Sequence, residues 1–203
     1  MHPKWQPTQE QIDTLAAFVK PKLQSMGLDP DVEFGFFPFS FYDNFCLFTV
    51  YVQEGTLHGL WNPGNSNPDE AIYLIDGTNG PIYTVNKAAP IKLTPENVAD
   101  YARFFYSMVH GRHGPFIIVE KAEYIPWLAT ATDADKQEVD KVIRPLLVGV
   151  GHDNCFLLHA MVLFKDGLFK ADIHIDDAGI VELRDEHLLF QKLPVYTEHP
   201  AAA

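Results

Sequence analysis

The stretch GHDNCFLLH, Gly151 to His159, sets two histidines, an aspartate, an asparagine and one of the chain's two cysteines beside an apolar run. Imidazole, carboxylate and thiol together are the raw material of nucleophilic or metal chemistry. The same Asp-Asn, Cys and apolar succession occurs earlier, however, as YDNFCLF from Tyr42 to Phe48. A repeated arrangement points to architecture, because an aspartate where a helix hands over to a strand can satisfy local backbone donors. On this reading His152, Asp153 and Cys155 are turn and strand-start residues, not a catalytic cluster.

A second histidine group is His110-Gly111-Arg112-His113-Gly114. Basic residues there complement a helix C-terminus, and the glycines supply turn geometry. The chain has no Cys-x-x-Cys, His-Glu-x-x-His, Gly-x-Ser-x-Gly or Walker lysine pattern, so the common zinc, hydrolase and nucleotide signatures are absent.

The most informative chemistry lies on an expected hairpin, Phe156 to Phe164 against Leu168 to Ile175. A two-residue turn at Asp166-Gly167 makes Phe156, Leu158, Ala160, Val162 and Phe164, with Phe169, Ala171, Ile173 and Ile175, one apolar face. The opposite face then carries His159 directly across from His174, with Asp172 and Asp176 two positions to either side of His174. Two imidazoles about 5 Å apart with two carboxylates are a candidate divalent-metal site formed by His159, His174, Asp172 and Asp176, or a proton-sensitive patch. The competing interpretation is an ordinary polar outer face. Leu157, Met161 and Leu163 surround His159, so part of that face requires a cover, expected from a helix of the same chain.

Elements must position these groups. Thr8-Gln-Glu-Gln is a capping box that opens a helix through Ile12, Leu15, Phe18 and Val19 toward Gly27. Aromatic and β-branched runs between Val32 and Val52 predict two strands around Tyr42-Asp43-Asn44, returning through Glu54-Gly55 to Trp61. WNPGNSNPD, from Trp61 to Asp69, is a loop. Ala71 to Ile75 and Pro81 to Val85 are expected as strands around a turn at Asp76 to Gly80. Thr94-Pro95-Glu96 starts a helix that keeps one face apolar to Gly111. Phe116 to Glu120 reads as a strand, and Thr132 to Asp135 starts a last helix carried through Val139, Val142, Ile143 and Leu146. The expected fold class is α+β, an antiparallel sheet packed by about three main helices.

The two Asp-Asn segments belong to a longer correspondence. Val19-Lys20-Pro21 matches Ile143-Arg144-Pro145, and turn Glu54-Gly55 matches Asp166-Gly167. One globular domain over residues 1–203 is expected, built from two related helix-plus-meander halves at about 9–92 and 93–195.

The block from Leu74 to Glu120, with DGTNGPIYTVN, LTPENVADYARFF and GPFIIVE, resembles a stretch shared by a family of uncharacterised bacterial proteins. The resemblance implies no activity and no site residues.

Composition bounds the function. The chain has 203 residues, 47% of them hydrophobic, and a formal net charge of −12. Such an acidic chain does not track phosphates, so nucleic acid is not an expected partner. The start MHPKWQ has no signal pattern, and no stretch approaches the roughly 20 apolar residues that span a bilayer. A cytoplasmic protein is expected, with Cys46 and Cys155 as free thiols. No cofactor is implied. The expected function is a non-catalytic protein-interaction module, chaperone-like or immunity-like, whose partner is another protein, basic in character, or a second copy. The alternative is a small metal-dependent hydrolase using the His159 face.

Overall fold

The computed structural model describes residues 6–53, 55–151 and 155–197. The chain divides into two compact units: the first runs to Asp76 and takes in Gly80–Pro90, and the second takes Gly77–Asn79 and continues from Ile91. Helices and antiparallel sheets are both present, so the fold class is α+β. Among the described residues no helix is long and apolar enough to cross a membrane.

In the first unit, α1 spans Gln9–Ser25 and begins with the expected capping box. Gln11 N donates to Thr8 Oγ1 at 3.3 Å, and Thr8 N donates to the Gln11 side chain at 2.8 Å. Gly27 ends it at φ 76°, in the left-handed region where a side chain is strained. Four strands follow as a meander: β1 Glu33–Pro38, β2 Cys46–Val52, β3 Gly55–Trp61 and β4 Ile72–Leu74, in the order β1-β2-β3-β4. Leu15, Val19 and Leu23 of α1 fall on one helical stripe and share a core with Cys46, Phe48, Val50 and Trp61. That core is tight, since a Cβ on Gly59 would stand 2.3 Å from the Phe48 ring. A one-turn helix, α2 at Pro68–Ala71, is capped by Asn67.

Residues 81–85 are not a strand. They belong to α3, Gly80–Ala88. Pro81 sits in the first turn, where a missing N–H costs nothing. Ile82, Val85 and Asn86 recur at helical spacing and are buried. Burial of that stripe outweighs the β-preference of isoleucine, threonine and valine.

In the second unit, Thr94 O accepts from Asn97 N and Val98 N, so a turn forms at the expected helix start, and α4 continues over Val98–Met108. The histidine group after it forms a tight hairpin. His110–Gly111 (β5) pairs with Gly114–Ile118 (β6), and Arg112-His113 is the turn between them. A 3-10 turn at Ala122–Tyr124 precedes α5, Asp133–Asp140, which opens on a capping box of Thr132 and Asp135. This last helix is shorter than the apolar spacing implies. Pro145 disfavours helical geometry at Arg144, and the chain leaves the helix at Lys141. β7 Leu147–Val150, β8 Phe156–Phe164, β9 Gly167–Ile175 and β10 Val181–Phe190 complete the unit. The sheet order is β10-β9-β8-β6-β5, with β7 also pairing β8.

The matched segments share an element order and differ in the strand face that clusters with the helix. α1 precedes β1-β2-β3-β4 as α5 precedes β7-β8-β9-β10, and each third strand starts at the matched glycine, Gly55 or Gly167. α1 packs on the Cys46, Phe48 and Val50 side of β2. Their matched positions in β8 are even-numbered, whereas Val139 of α5 clusters with Met161 and Leu163, on the other face. The helix therefore clusters with opposite faces of the two matched hairpins. His152, Asp153 and Asn154 lie outside the described residues.

Candidate functional site

The β8–β9 hairpin keeps the expected faces but not the expected partners. Lys165-Asp166 is the turn, with Phe164 opposite Gly167, so every partner is displaced by two residues. Because side chains alternate with period two, a shift of two leaves the apolar face intact. Lys165 adopts φ 53°, and Leu193 N donates to Asp166 O at 2.9 Å, tying the turn to the C-terminal segment. Gly167 is a strand residue whose missing side chain makes room: a Cβ there would lie 2.9 Å from the Phe169 ring.

The direct His159–His174 opposition is thereby corrected. His159 faces Asp172, and its Nδ1 lies 2.6 Å from Asp172 Oδ1. His174 faces Leu157 on one side and Glu182 of β10 on the other. Asp176 is committed to its own turn, accepting from Ala178 N at 3.0 Å and Ile180 N at 2.8 Å. Of the four candidate ligands, only His159 and Asp172 are brought together. Among the described residues no group of three or more His, Cys, Asp and Glu side chains is placed to hold a metal ion.

Across the sheet the row reads Leu147, His159, Asp172, Arg184, and Arg184 pairs in turn with Glu182. Asp172 and Arg184 stand opposite each other with opposite charge, which suits a solvated polar surface. The apolar part is covered as expected: Met161, Leu163 and Leu168 are buried with Val139 of α5, Ile143, Leu193 and Val195. Near His159 the face is open. Leu147 is 59% exposed, and the His159 side chain is 42% exposed. The pair can orient an imidazole through Nδ1, but its neighbours on the face, Leu147, Leu157, Met161 and Lys170, carry no hydroxyl or thiol.

A pocket of about 480 Å³ lies in the first unit, where the end of β1, the start of β2, the end of β3 and the first turns of α1 meet. Pro38, Phe39, Asp43, Asn44, Phe45 and Asn62 are among its lining residues. Tyr42 and Phe45 form buried aromatic wall, while Asp43 and Asn44 are exposed. The Tyr42 hydroxyl is hydrogen-bonded to Asn86 Oδ1 of α3, which fixes the ring. Gln11 Nε2 donates to Pro63 O at 2.9 Å, fixing the loop against α1. Among the described lining residues Asp43 is the one carboxylate. Cys46 lies beneath, and burial pushes its thiol up to about 12, so it stays protonated at neutral pH and is not an activated nucleophile.

This pocket was not foreseen from sequence. YDNFC and WNPGN each signal a turn or loop, yet nothing local says that two strand ends bring them together. In the second unit a largely apolar cleft of about 360 Å³ runs past Tyr106, Phe116 and Tyr124. Its charges are matched: Arg103 donates to both Glu120 oxygens, at 2.8 and 3.0 Å.

No protein-family model, curated protein or solved structure matches this chain.

Proposed function

We propose that this protein is a non-catalytic protein-interaction module that receives an extended segment of its partner along β1. The observation that carries this reading is the contrast between sheet edges. β10, an edge of the second sheet, presents Glu182, Arg184, Asp185, Glu186 and His187, and its register breaks between Arg184 and His187, with Asp185 at φ 47°. Charge and a bulge are the devices that protect an edge from strand addition. β4, at one end of the first sheet, is three residues long. β1, at the other end, pairs only with β2 among the described strands and reads Glu-Phe-Gly-Phe-Phe-Pro. Phe34 and Phe36 pack toward the core, and Phe37 is 47% exposed. An aromatic edge closed only by a terminal proline suits pairing by backbone hydrogen bonds, with alternate side chains giving selectivity.

The test is selection of displayed ten-residue peptides on the immobilised protein, followed by binding to Phe37→Lys. That lysine blunts the edge without entering the core. Enriched peptides that lose at least tenfold in affinity on Phe37→Lys, with unchanged thermal unfolding, support the reading. No enrichment, or equal binding to the variant, overturns it.

The second reading, a small metal-dependent hydrolase, is favoured only by the His159–Asp172 pair, since metal-binding imidazoles commonly carry a carboxylate on the other nitrogen. Elemental analysis of untagged protein distinguishes the two, because stoichiometric metal lost on His159→Gln selects the hydrolase.

A further inference from the structure

We infer that the segment received along β1 is cationic, setting a lysine or arginine beside Glu33 and an apolar residue, four positions away, beside Phe37. The inference rests on the proposed interaction along β1 and deepens it. Backbone direction fixes where such a segment bonds. Ile75 N donates to His58 O and Asn62 N to Ala71 O, so even-numbered residues of β3 turn their backbone groups toward β4. These directions alternate in an antiparallel sheet. Leu57, Gly59 and Trp61 therefore face β2, where Val50, Phe48 and Cys46 face them in return. Leu47, Thr49 and Tyr51 then face Phe37, Gly35 and Glu33. Phe34 and Phe36 are left with N–H and C=O directed away from β2, and Pro38, which has no N–H to offer, takes the next outward position. A segment bonded to Phe34 and Phe36 stands its own side chains beside Glu33, Gly35 and Phe37. Whichever way it runs, its residues beside Glu33 and Phe37 are four apart.

What those positions offer sets the chemistry. Glu33 is exposed, and its neighbours on that face, Gly35 along the strand and Tyr51 across it, carry no charge. The Tyr51 and Phe37 side chains are 48% and 47% exposed. Both lean over Gly35, since a Cβ there would lie 3.1 Å from Tyr51 Oη and 3.2 Å from the Phe37 ring. A carboxylate beside half-exposed rings suits a cation, which is attracted to both. An acidic residue in the same place would meet Glu33 and the chain's net charge of −12. A second copy would bring that same net charge, and an antiparallel pairing centred on Gly35 would set Glu33 against Phe37 in place of a cation. Beside Phe37 an apolar residue gains most, because it removes the exposed ring from water.

The test takes ten-residue peptides that are enriched by display and lose binding on Phe37→Lys. Expected is a Lys or Arg at one fixed position, with an apolar residue four positions away. Replacing that basic residue by norleucine should cost at least fivefold in wild type and less than twofold in Glu33→Gln. The peptide carrying glutamate there should bind Glu33→Lys at least fivefold more tightly than wild type. Peptides that depend on Phe37 but have no such basic position, or that lose as much in Glu33→Gln, overturn this inference and leave the β1 reading standing. Absence of any Phe37-dependent peptide overturns both.

Sedimentation velocity of the protein alone tests the other occupant. A monomer is expected, whereas a dimer that Phe37→Lys dissociates assigns the edge to a second copy and overturns the cationic segment. Equal thermal unfolding of wild type, Glu33→Gln and Glu33→Lys is expected because Glu33 is exposed, and it excludes loss of fold as the cause of any difference in affinity.

Discussion

His159 Nδ1 lies 2.6 Å from Asp172 Oδ1, across the pair of strands that carries the outer face of the second sheet. A carboxylate, not a second imidazole, stands opposite this histidine. A double-mutant cycle on His159→Gln and Asp172→Asn should therefore give coupling of about 0.5–1 kcal/mol, the range for a half-exposed pair. The cycle on His159 and His174 should give less than about 0.3 kcal/mol. Stronger coupling in the second cycle would contradict the observed register.

The turn that sets this register holds Lys165 at φ 53°. Left-handed geometry costs a residue with a Cβ about 1–2 kcal/mol, and glycine's freedom in the unfolded chain returns about 0.5–1. Lys165→Gly should consequently raise stability in urea unfolding by about 0.5–1 kcal/mol. The same change at Asp166, which is not in the left-handed region, should lower it. A loss of stability in Lys165→Gly would remove the Lys165-Asp166 turn from the account.

Glu120 links three segments, accepting from Arg103 of α4 and from Leu146 N at 3.2 Å. The hydrogen bonds from the Arg103 guanidinium hold its carboxyl below the ordinary carboxylate value. The folded state thus releases this proton more readily than the unfolded chain. The stabilisation is complete above about pH 5 and disappears as pH falls through the depressed folded value. Glu120→Gln should destabilise at pH 7, and its difference from wild type should shrink toward pH 3 in urea melts. A difference that stays constant over that range would show that ionisation is not what Glu120 contributes.

Cys46 shifts the other way, since desolvation on burial raises its thiol to about 12. The folded protein keeps a proton that the unfolded chain loses near pH 8.5. Stability from this source is therefore full below about pH 8.5 and falls as pH rises toward 12. Cys46→Ala should flatten the alkaline limb of the stability profile, although it costs about 1 kcal/mol in packing at neutral pH. In native protein at pH 8 a thiol reagent should modify Cys46 only on the timescale of unfolding. Rapid native labelling at this position would sink the assignment.

Several features of this protein are legible one segment at a time. The capping box at Thr8, the helix start at Thr132 to Asp135, the strand pairs around Asp43-Asn44 and the inward faces of β8 and β9 follow from capping chemistry and from the period-two alternation of side chains. These are short-range properties, so residues within one element suffice. Ile82, Thr84 and Val85 read as strand because propensity is local, whereas their helical burial depends on what α3 packs against.

Tertiary structure decided the rest. A hairpin shifted by two residues satisfies the same apolar face as the expected one, so alternation cannot choose between His174 and Asp172 as the neighbour of His159. That choice lay with the conformation of Lys165 and with Leu193 N, which bonds to Asp166 O from 27 residues further along. The pocket beside Pro38 likewise draws Gln11 of α1, Asp43 from between β1 and β2, and Asn62 from after β3. Side-chain direction is set within a strand, but which side chains meet is set by closing the chain over long separations.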